Sequence, residues 1–500
     1  MPSNRHMTEI LSDSSANANN VSENGITADD FVSKGNFMTS THKTDSVTEL
    51  SNPVPTLKLL SVNDQRKKYM TRGLSGLVNL ANTCYMNAAL QCLVATDVFV
   101  GYLKQGTYKN DLKHGIIRTL ASEKRKKAKE NNEPETTIKL KVKNIRENFK
   151  NSITYKFRNV VKVMWGANCR LRPKSLKEAI GNVNQVFAGF NQNDSQEFIT
   201  CILDIIHEET KTDVLVELKN IPEDVLDYQH VTEYYSQMIT NNTITIEEKV
   251  KLKEEYMKYR ANHLREDIIT KSFSYWRKFI KNNHSVIIDI FTGLYMTNVL
   301  CETCGNQSFN FQPENILSLG FTKNSSPITL EECLNTHFLQ SESLSGDNAY
   351  QCNQCIKKTT ALSRRYIWHA PPYLIIQLKR FFNIGPISQR NDRIVNFPLE
   401  GLNMTNYCNE YNKMEYIYDL YGVIHQLGSL RGGHYVAYTK NIVNGEWYKF
   451  DDCQILHIDS DKIHSLVETD GAYVLFYKKR GTIELTVMDD DDNYGAEVDI

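Results

Sequence analysis

The sequence predicts an α+β fold, with helices concentrated in the first half of the chain and antiparallel sheet in the second. After Cys84, apolar residues recur at the three-to-four spacing of a buried helical face. They are Tyr85, Met86, Ala89, Leu90 and Leu93. From residue 286 onward, short runs alternate apolar and polar residues and are separated by Gly or Asn clusters, which is typical of strands. A chain of 500 residues exceeds what one core usually supports, so we expect a large multi-part domain with tails.

The total charge is close to neutral, because 58 Lys and Arg stand against 59 Asp and Glu. We therefore expect no global field that recruits nucleic acid or an anionic membrane, and any charge-based recognition must be local. The apolar runs are too short to cross a bilayer and no secretion signal is visible, so we expect no membrane partner. Eleven cysteines without export should stay reduced, which favours a cytoplasmic or nuclear location.

Composition divides the chain into segments. Residues 1–64 are dominated by Ser, Asn, Thr and Asp and should form a disordered tail. The ordered part covers 73–480, and 481–500 should be an acidic tail. Residues 122–132 are charge-rich without interleaved aromatic residues, which is more typical of a solvated insertion than of a nucleic-acid patch.

The region between the helical half and the β-rich half reads as a helical insertion of about 210–282. Thr245 and Glu248 form a capping-box pattern there and predict one long amphipathic helix over 245–282. The favoured interpretation is that this helix covers the core, and the alternative is that it binds a partner. In the β-rich half, about 283–480, we predict strands at 293–299, 366–378, 418–425, 434–440, 446–450 and 472–478.

Cys84 is a candidate nucleophile. Asn82 and Thr83 are good helix-capping residues, so Cys84 falls in the first helical turn. Unpaired backbone N–H groups and the positive end of the helix dipole favour a thiolate at that position. Taken alone, a buried core cysteine is an equally good interpretation.

A base and its orienter follow far downstream. Gly432 and Gly433 permit close backbone approach, and His434 then begins an alternating strand, which suits a general base. The strand 446–450 leads into Asp451, whose carboxylate would accept the imidazole N–H if the two strands pair. Together with Cys84, these residues would form a thiol protease triad, in which Asn79 would donate to the oxyanion.

Four cysteines in two Cys-x-x-Cys pairs form a second constellation, Cys301 with Cys304 and Cys352 with Cys355. This spacing lets a tight turn direct two thiolates at one tetrahedral ion. Four sulfur ligands leave no open position, so the sequence predicts one structural Zn²⁺. Cys333, between the pairs, is interpreted as core.

Taken together, these motifs resemble the ubiquitin-specific protease family of cysteine deubiquitinases, over about 73–480. GLVNLANTCYMNAALQCL resembles its cysteine box, FAGFNQNDSQEFITCILDIIHEE its glutamine-aspartate box, and YGVIHQLGSLRGGHYVAYTK with EWYKFDDCQIL its histidine box. The resemblance implies a papain-like fold with a helical thumb (about 73–210), an antiparallel palm and zinc-bearing fingers (both within about 283–480).

The resemblance also implies function. We expect hydrolysis of isopeptide or peptide bonds at the C-terminal glycine of ubiquitin through a thioester, with ubiquitin and ubiquitinated proteins as partners. A catalytically weak or inactive ubiquitin-binding scaffold is the alternative, and a regulatory protein partner that orders the loops is a further expectation. The family assigns Cys84 as nucleophile, His434 as base, Asp451 as third member and Asn79 as oxyanion donor. Asp452 would share the orienting role.

Substrate recognition is expected at four residues. Asp194 and Glu197 would face the arginines of the ubiquitin tail, with an N-cap role for Asp194 as an equal alternative. Gly432 and Gly433 would line a narrow tunnel for the terminal glycines. Two positions depart from the family pattern, since Ala81 replaces a glycine and Asn193 a glutamine.

Overall fold

The computed structural model describes residues 33–34, 72–130, 141–216, 221–321, 327–384, 387–412, 414–429 and 432–482. The segments predicted as disordered (1–64) and acidic (481–500) therefore lie almost wholly outside the described residues. Within the first of them, Ser33–Lys34 is described as a strand, β1, parallel to Val214–Leu215.

Among the described residues, seven helices form the thumb. They are α1 (Cys84–Val94), α2 (Asp97–Lys104), α3 (Tyr108–Glu130), α4 (Val142–Asn151), α5 (Ile153–Gly166), α6 (Lys174–Val183) and α7 (Ser195–Thr210). In α7, Phe198, Leu203 and Ile206 are buried, while Cys201 and Ile205 are partly buried. Among the described residues, no single helix is long and apolar enough to cross a membrane; α1 and α2, bent by 86°, meet that test only as a pair, by length and composition.

The insertion contains three helices, α8 (Glu223–Thr240), α9 (Ile246–Asn262) and α10 (Leu264–Ile280). The predicted Thr245–Glu248 capping box is present. The prediction of one long helix over 245–282 is wrong, because the chain breaks at His263, where φ is −124° and ψ is 46°. Buried Asp267 holds the turn together by accepting from Arg260 (2.7 Å) and Lys271 (2.7 Å).

The remaining helices are α11 (Val286–Phe291), α12 (Leu330–Phe338) and α13 (Ile463–Val467). The first half of the strands comprises β2 (Gly76–Leu77), β3 (Arg170–Leu171), β4 (Val214–Leu215), β5 (Gly293–Cys301), β6 (Gln307–Glu314), β7 (Ile316–Leu319), β8 (Ile328–Thr329), β9 (Glu342–Leu344), β10 (Tyr350–Cys352) and β11 (Lys357–Thr359). The second half comprises β12 (Ala361–His369), β13 (Tyr373–Leu378), β14 (Phe381–Ile384), β15 (Ile387–Arg390), β16 (Val395–Asn396), β17 (Leu402–Asn403), β18 (Ile417–Leu427), β19 (His434–Lys440), β20 (Trp447–Asp451), β21 (Gln454–Ile458) and β22 (Ala472–Lys479).

The palm is a sheet with strand order β21-β20-β19-β18-β22-β13-β7, and β17 also pairs with β18. All of its pairings are antiparallel except β13 with β7. The fingers contain a second sheet, β6-β5-β12-β9, and the hairpin β10-β11. The structure thus confirms the α+β class. The prediction of one strand over 366–378 is wrong, because Pro371 and Pro372 separate β12 from β13.

The site is positioned by the contact between α1 and the palm. All eleven residues of α1 are buried, because the helix lies between the thumb helices and the face of the palm sheet that includes β19. A second core covers the opposite face of the palm, and Cys333 lies within it as expected. A third core joins the insertion to β5, β6 and β12. Thumb and palm therefore share one continuous core around α1.

Candidate active site and metal centre

Cys84 is the first residue of α1 and is 2% exposed. The predicted helix start is therefore correct, but Thr83 does not cap it with its side chain. Its hydroxyl instead accepts from the backbone N–H of Leu80 (2.8 Å). The loop before Cys84 is thus held by its own hydrogen bonds, which orient the start of the helix.

His434 and Asp451 lie side by side on neighbouring strands. His434 begins β19 and Asp451 ends β20, and the two strands pair in antiparallel register. His434 Nε2 lies 2.7 Å from Asp451 Oδ1. Lys449 Nζ lies 3.4 Å from the other oxygen of Asp451. The predicted strand pairing therefore brings base and orienter together.

Cys84 completes the cluster, because its side chain lies close enough to His434 to raise the pKa of the imidazole. Because Nε2 faces Asp451, Nδ1 is the ring nitrogen left for the thiol. The interaction with Cys84 raises the pKa of His434 to about 9, against the opposing effect of partial burial, and Asp451 adds to the rise. Burial would raise the pKa of Asp451, but the bond to His434 and the charges of His434 and Lys449 hold it below its usual value. The imidazole is therefore biased toward its cationic form beside the sulfur.

Asp452 has a different position from the one expected. Its Oδ2 accepts from Asn79 Nδ2 (3.0 Å) and its Oδ1 from Asn87 Nδ2 (2.8 Å). Its carbonyl accepts from the backbone N–H of Leu77 (2.9 Å). Asp452 therefore braces the loop before Cys84 and α1 against the end of β20. The Asn79 amide retains a second N–H, which is available to a developing oxyanion.

The side chains of His434, Asp451 and Asp452 also lie within 4.8 Å of one another, a spacing that would suit a cation. However, two amide groups already donate to Asp452, and an ammonium lies beside Asp451. These donors occupy the carboxylate oxygens that a cation would need. The arrangement therefore favours a hydrogen-bonded catalytic group over a metal site.

The four finger cysteines come together as the sequence predicts. Cys301 ends β5, Cys352 ends β10, and Cys304 and Cys355 lie in the turns that follow. The Sγ atoms of Cys301 and Cys355 are 4.0 Å apart, those of Cys304 and Cys352 are 3.7 Å apart, and all four lie within 4.8 Å of one another. Sulfurs bound at about 2.3 Å around one tetrahedral Zn²⁺ would be about 3.8 Å apart. The cluster is compatible with that ion.

Comparisons with known proteins identify the family. A family model for ubiquitin carboxyl-terminal hydrolases matches residues 75–477. The chain belongs to this family. It is a family of cysteine-type deubiquitinating hydrolases, as the resemblance predicted.

Relatives of this hydrolase include a probable ubiquitin carboxyl-terminal hydrolase of Acanthamoeba polyphaga mimivirus, 29% identical over 475 residues, covering 88% of this chain and 98% of the viral protein. Ubiquitin carboxyl-terminal hydrolase 2 of Homo sapiens is 28% identical over 429 residues, covering 85% of this chain. The match spans only 58% of the human protein.

Solved structures with a similar fold include the SAGA deubiquitinating module of Ubp8, Sgf11, Sus1 and Sgf73. The module bound to monoubiquitin gives a TM-score of 0.53 at 23% identity, covering 82% of this chain and 69% of that chain. The module bound to ubiquitin aldehyde gives 0.53 at 22% identity, covering 84% and 73%. At these identities the likeness establishes the fold alone.

Ala81 lies where this family usually has glycine, and the structure shows the consequence. Ala81 has φ 70° and Asn82 has φ 54°, so both lie in the left-handed region. Asparagine tolerates that conformation, whereas alanine is destabilised there by about 1–2 kcal/mol. The hydrolase therefore has a strained residue three positions before Cys84.

The two acidic residues predicted to bind substrate differ in their surroundings. Asp194 caps α7 through the N–H of Gln196 (2.7 Å) and accepts from the Tyr473 hydroxyl (2.5 Å). Burial raises the pKa of Asp194, against these hydrogen bonds. Glu197, in the first turn of α7, is exposed. The N-cap alternative for Asp194 is thus observed, and Glu197 is the more accessible carboxylate.

The two glycines differ in how much space surrounds them. A Cβ on Gly433 would lie 2.3 Å from Gln426 Nε2 and 2.5 Å from the Leu427 carbonyl oxygen, so only glycine fits. A Cβ on Gly432 would meet Ser429 Oγ at 3.3 Å, with no closer contact among the described residues. The carbonyl of Gly433 accepts from Gln192 Nε2 (2.7 Å), which links the palm to the loop before α7.

Sequence reasoning missed several residues that shape the site. Asn87 and Gln91 are almost fully buried in α1, where they donate to Leu77 O (3.2 Å) and Ser75 O (2.8 Å). The sequence did contain a sign of this role, since Asn87 and Gln91 are two amides on an otherwise apolar helix. Buried polar groups require hydrogen-bond partners, so these two residues could have been predicted to bind neighbouring backbone. Gln192 carried no comparable signal, since its partner is a backbone carbonyl 241 residues away.

Proposed function

We propose that this chain is a thiol-dependent deubiquitinase that hydrolyses the isopeptide or peptide bond after the C-terminal glycine of ubiquitin. The observation that carries the proposal is that His434 is hydrogen-bonded to Asp451 at 2.7 Å and lies close enough to Cys84 for the sulfur to raise its pKa. Family membership supports the same reaction class.

Each residue has a defined step in this mechanism. His434 holds the proton of Cys84, and the thiolate attacks the carbonyl carbon of the terminal glycine. The second N–H of Asn79 and the backbone N–H of Cys84 donate to the oxyanion. The C–N bond then breaks as His434 returns the proton to the leaving amine, which leaves a thioester on Cys84. His434 next deprotonates a water, whose attack releases ubiquitin with a free carboxylate.

Substrate would approach between thumb and palm. Glu197 is exposed and is suited to a cationic side chain of the ubiquitin tail. Asp194 would contribute in one of two ways. Its carboxylate oxygens each have a further lone pair that would accept a hydrogen bond from the ubiquitin tail, or it would only hold the start of α7 in place. Gly432 and Gly433 would admit only a chain without side chains. Partner proteins accompany the related SAGA enzyme, and a regulatory partner for this chain is part of the proposal.

We further propose that Cys301, Cys304, Cys352 and Cys355 hold one structural Zn²⁺. The sulfur distances and the all-thiolate donor set support this ion. Its chemistry there is to cross-link the ends of two hairpins, and it takes no part in bond cleavage.

The decisive test is labelling by ubiquitin that carries a C-terminal electrophile. We expect one covalent adduct on Cys84, none in Cys84→Ala, and retained ubiquitin binding by that variant. Cys201→Ala is the control, because Cys201 is a thumb cysteine whose pKa is raised by burial. Labelling that persists in Cys84→Ala would overturn the assignment.

The scaffold alternative predicts a different outcome. A catalytically weak or inactive protein would bind ubiquitin but release no fluorophore from a ubiquitin C-terminal amide. Presence of all three side chains in hydrogen-bonding positions favours an active enzyme. Turnover by the full chain that is lost in His434→Ala would exclude the scaffold.

A further inference from the structure

We infer that the charged end of the thumb binds the phosphate backbone of double-stranded nucleic acid. The surface comprises the exposed cations of the second half of α3, of α4 and of the residue before α4, and we call it the basic thumb surface. Its members are Lys124, Arg125, Lys126, Lys127, Lys129, Lys141, Lys143, Arg146 and Lys150. Within residues 122–130 and 141–151, three exposed carboxylates lie among these nine cations, those of Glu123, Glu130 and Glu147.

The cations form two groups on neighbouring helices of the thumb. Phe149, near the end of α4, packs on Tyr108 at the start of α3, with ring centroids 6.2 Å apart. Lys143, Arg146 and Lys150 lie on the exposed side of α4. Lys124–Lys129 lie about 24–32 Å along the α3 axis from Tyr108, so they form a second basic group on the same pair of helices.

The last ten residues of α3, after Leu120, contribute little to the core. The buried residues of α3 end at Ile116, although the helix continues to Glu130. The last ten residues include no fully buried side chain. A helix segment that is polar on all sides and carries adjacent like charges is stabilised when an anion neutralises it.

The composition of the surface favours nucleic acid over a protein partner. Protein interfaces are depleted in lysine and centre on apolar or aromatic anchors. Val142 is the single large apolar side chain that is strongly exposed within residues 118–130 and 141–151. Seven of the nine cations are lysines, which act as point charges toward phosphates.

The absence of exposed aromatic residues in those same segments favours double-stranded over single-stranded nucleic acid. Recognition of single strands relies on bases that stack on aromatic side chains. Phe149 is turned toward Tyr108, so it is not presented as a stacking platform. A duplex backbone, contacted without sequence preference, fits the surface best.

The surface lies away from the proposed catalytic site. α3 contacts the C-terminal end of α7, where Arg118 donates to the carbonyl of Glu208 (3.0 Å). Asp194 lies at the other end of α7, sixteen residues or about 24 Å away along the axis. A duplex on this surface would therefore leave the ubiquitin tail site open, and its binding does not depend on the proposed activity. The net charge of the whole chain is near zero and predicted no global attraction to nucleic acid. That total does not reveal the local excess of cations over carboxylates on the basic thumb surface.

The test is fluorescence anisotropy of a mixed-sequence DNA duplex of about 20 base pairs with the full chain, at about 50 and 200 mM salt. The test variant is Lys126→Gln/Lys127→Gln/Lys129→Gln. The matched control is Lys251→Gln/Lys253→Gln/Lys258→Gln, which removes three exposed lysines from α9. Glutamine preserves helix propensity in both.

We expect binding at low salt that weakens by at least about tenfold at high salt. The test variant should bind about tenfold more weakly at low salt and show a salt slope reduced by up to about three, while the control matches the parent. Both variants should hydrolyse a ubiquitin fluorophore normally, which separates this inference from the proposed function.

Three outcomes would overturn the inference. The first is no binding at low salt, and the second is equal weakening by the control variant. The third is preferential binding of polyglutamate, or carbodiimide cross-links from Lys126 to the chain's own Asp489–Asp492 without duplex binding. An acidic polypeptide would then be the occupant.

Discussion

The candidate active site and the finger cysteine cluster are assembled by different means. The active site joins Cys84 to residues about 350 positions later, yet buried α1 and the Asp452 hydrogen bonds hold it in place. The cysteine cluster joins two turns 47 residues apart, and its hairpin β10-β11 pairs only three residues per strand. Cys304 in this cluster is exposed.

This difference corresponds to two different roles, catalysis at the first site and structural support at the second. The packed core and hydrogen bonds organise the first site before substrate arrives, which suits a catalytic group that must be preorganised. The second site has little apolar support of its own, so an ion would supply the energy that folds it. Disruption of one site should therefore leave the other intact.

The largest expected effect is on catalysis. His434→Gln removes the base and should lower kcat for a ubiquitin fluorophore by about 10³-fold, without changing metal content. His464→Gln, on exposed α13, is the control and should retain full activity. Loss of metal in His434→Gln would show that the two sites are coupled, contrary to the comparison.

Breaking the second site should have the complementary result. Cys352→Ser should reduce bound zinc from one equivalent per chain to below half, and should increase amide exchange in β10 and β11 many-fold. Exchange in α1 should not change, because α1 is enclosed by a separate core. Cys169→Ser, a partly buried thumb cysteine, is the control. Unaltered metal content in Cys352→Ser would exclude the four-cysteine site.

The structural role of Asp452 at the active site can be tested separately from the catalytic role of Asp451. Asp452→Ala leaves the amides of Asn79 and Asn87 without their carboxylate, which should lower the free energy of unfolding by about 1–3 kcal/mol. Asp451→Ala, one residue away, should lower activity with a smaller effect on stability, because Asp451 bonds to partly exposed His434. Chemical denaturation of both variants measures the difference, and equal losses of stability would argue against the brace.

Sequence patterns predicted these two sites to different depths. The helix start at Cys84, the strand that begins at His434 and both Cys-x-x-Cys turns depend on local chemistry, so they could be predicted. Asp452 braces the loop before Cys84 and does not orient His434. This role could not be predicted from the sequence, because its partners Asn79 and Asn87 lie more than 360 residues earlier. The charged run at 122–132 was correctly predicted to be solvent-facing as far as Glu130, but the packing of α4 beside the start of α3 depends on the contact between Tyr108 and Phe149.

The titration of His434 offers a smaller, pH-dependent test. The folded pKa is raised to about 9 from an ordinary value near 6.5, so protonation stabilises the fold. This contribution should be fully present below about pH 6.5 and lost as the pH rises through 9. Unfolding free energies across this range should therefore decline more in the parent than in His434→Gln. Parallel curves would indicate that His434 is not held as a cation.

The smallest expected effect concerns Ala81. Because Ala81 has φ 70°, glycine should relieve left-handed strain of about 1–2 kcal/mol, offset in part by its greater entropy when unfolded. Ala81→Gly should thus stabilise the fold by up to about 1 kcal/mol. Ala88→Gly, within α1, is the matched control and should destabilise by a similar amount, since Ala88 is in helical conformation. Opposite signs for the same substitution three residues before and four residues after Cys84 would show that the loop before the nucleophile is strained while the helix after it is not. A destabilised Ala81→Gly would mean that the methyl group packs favourably enough to outweigh its backbone strain.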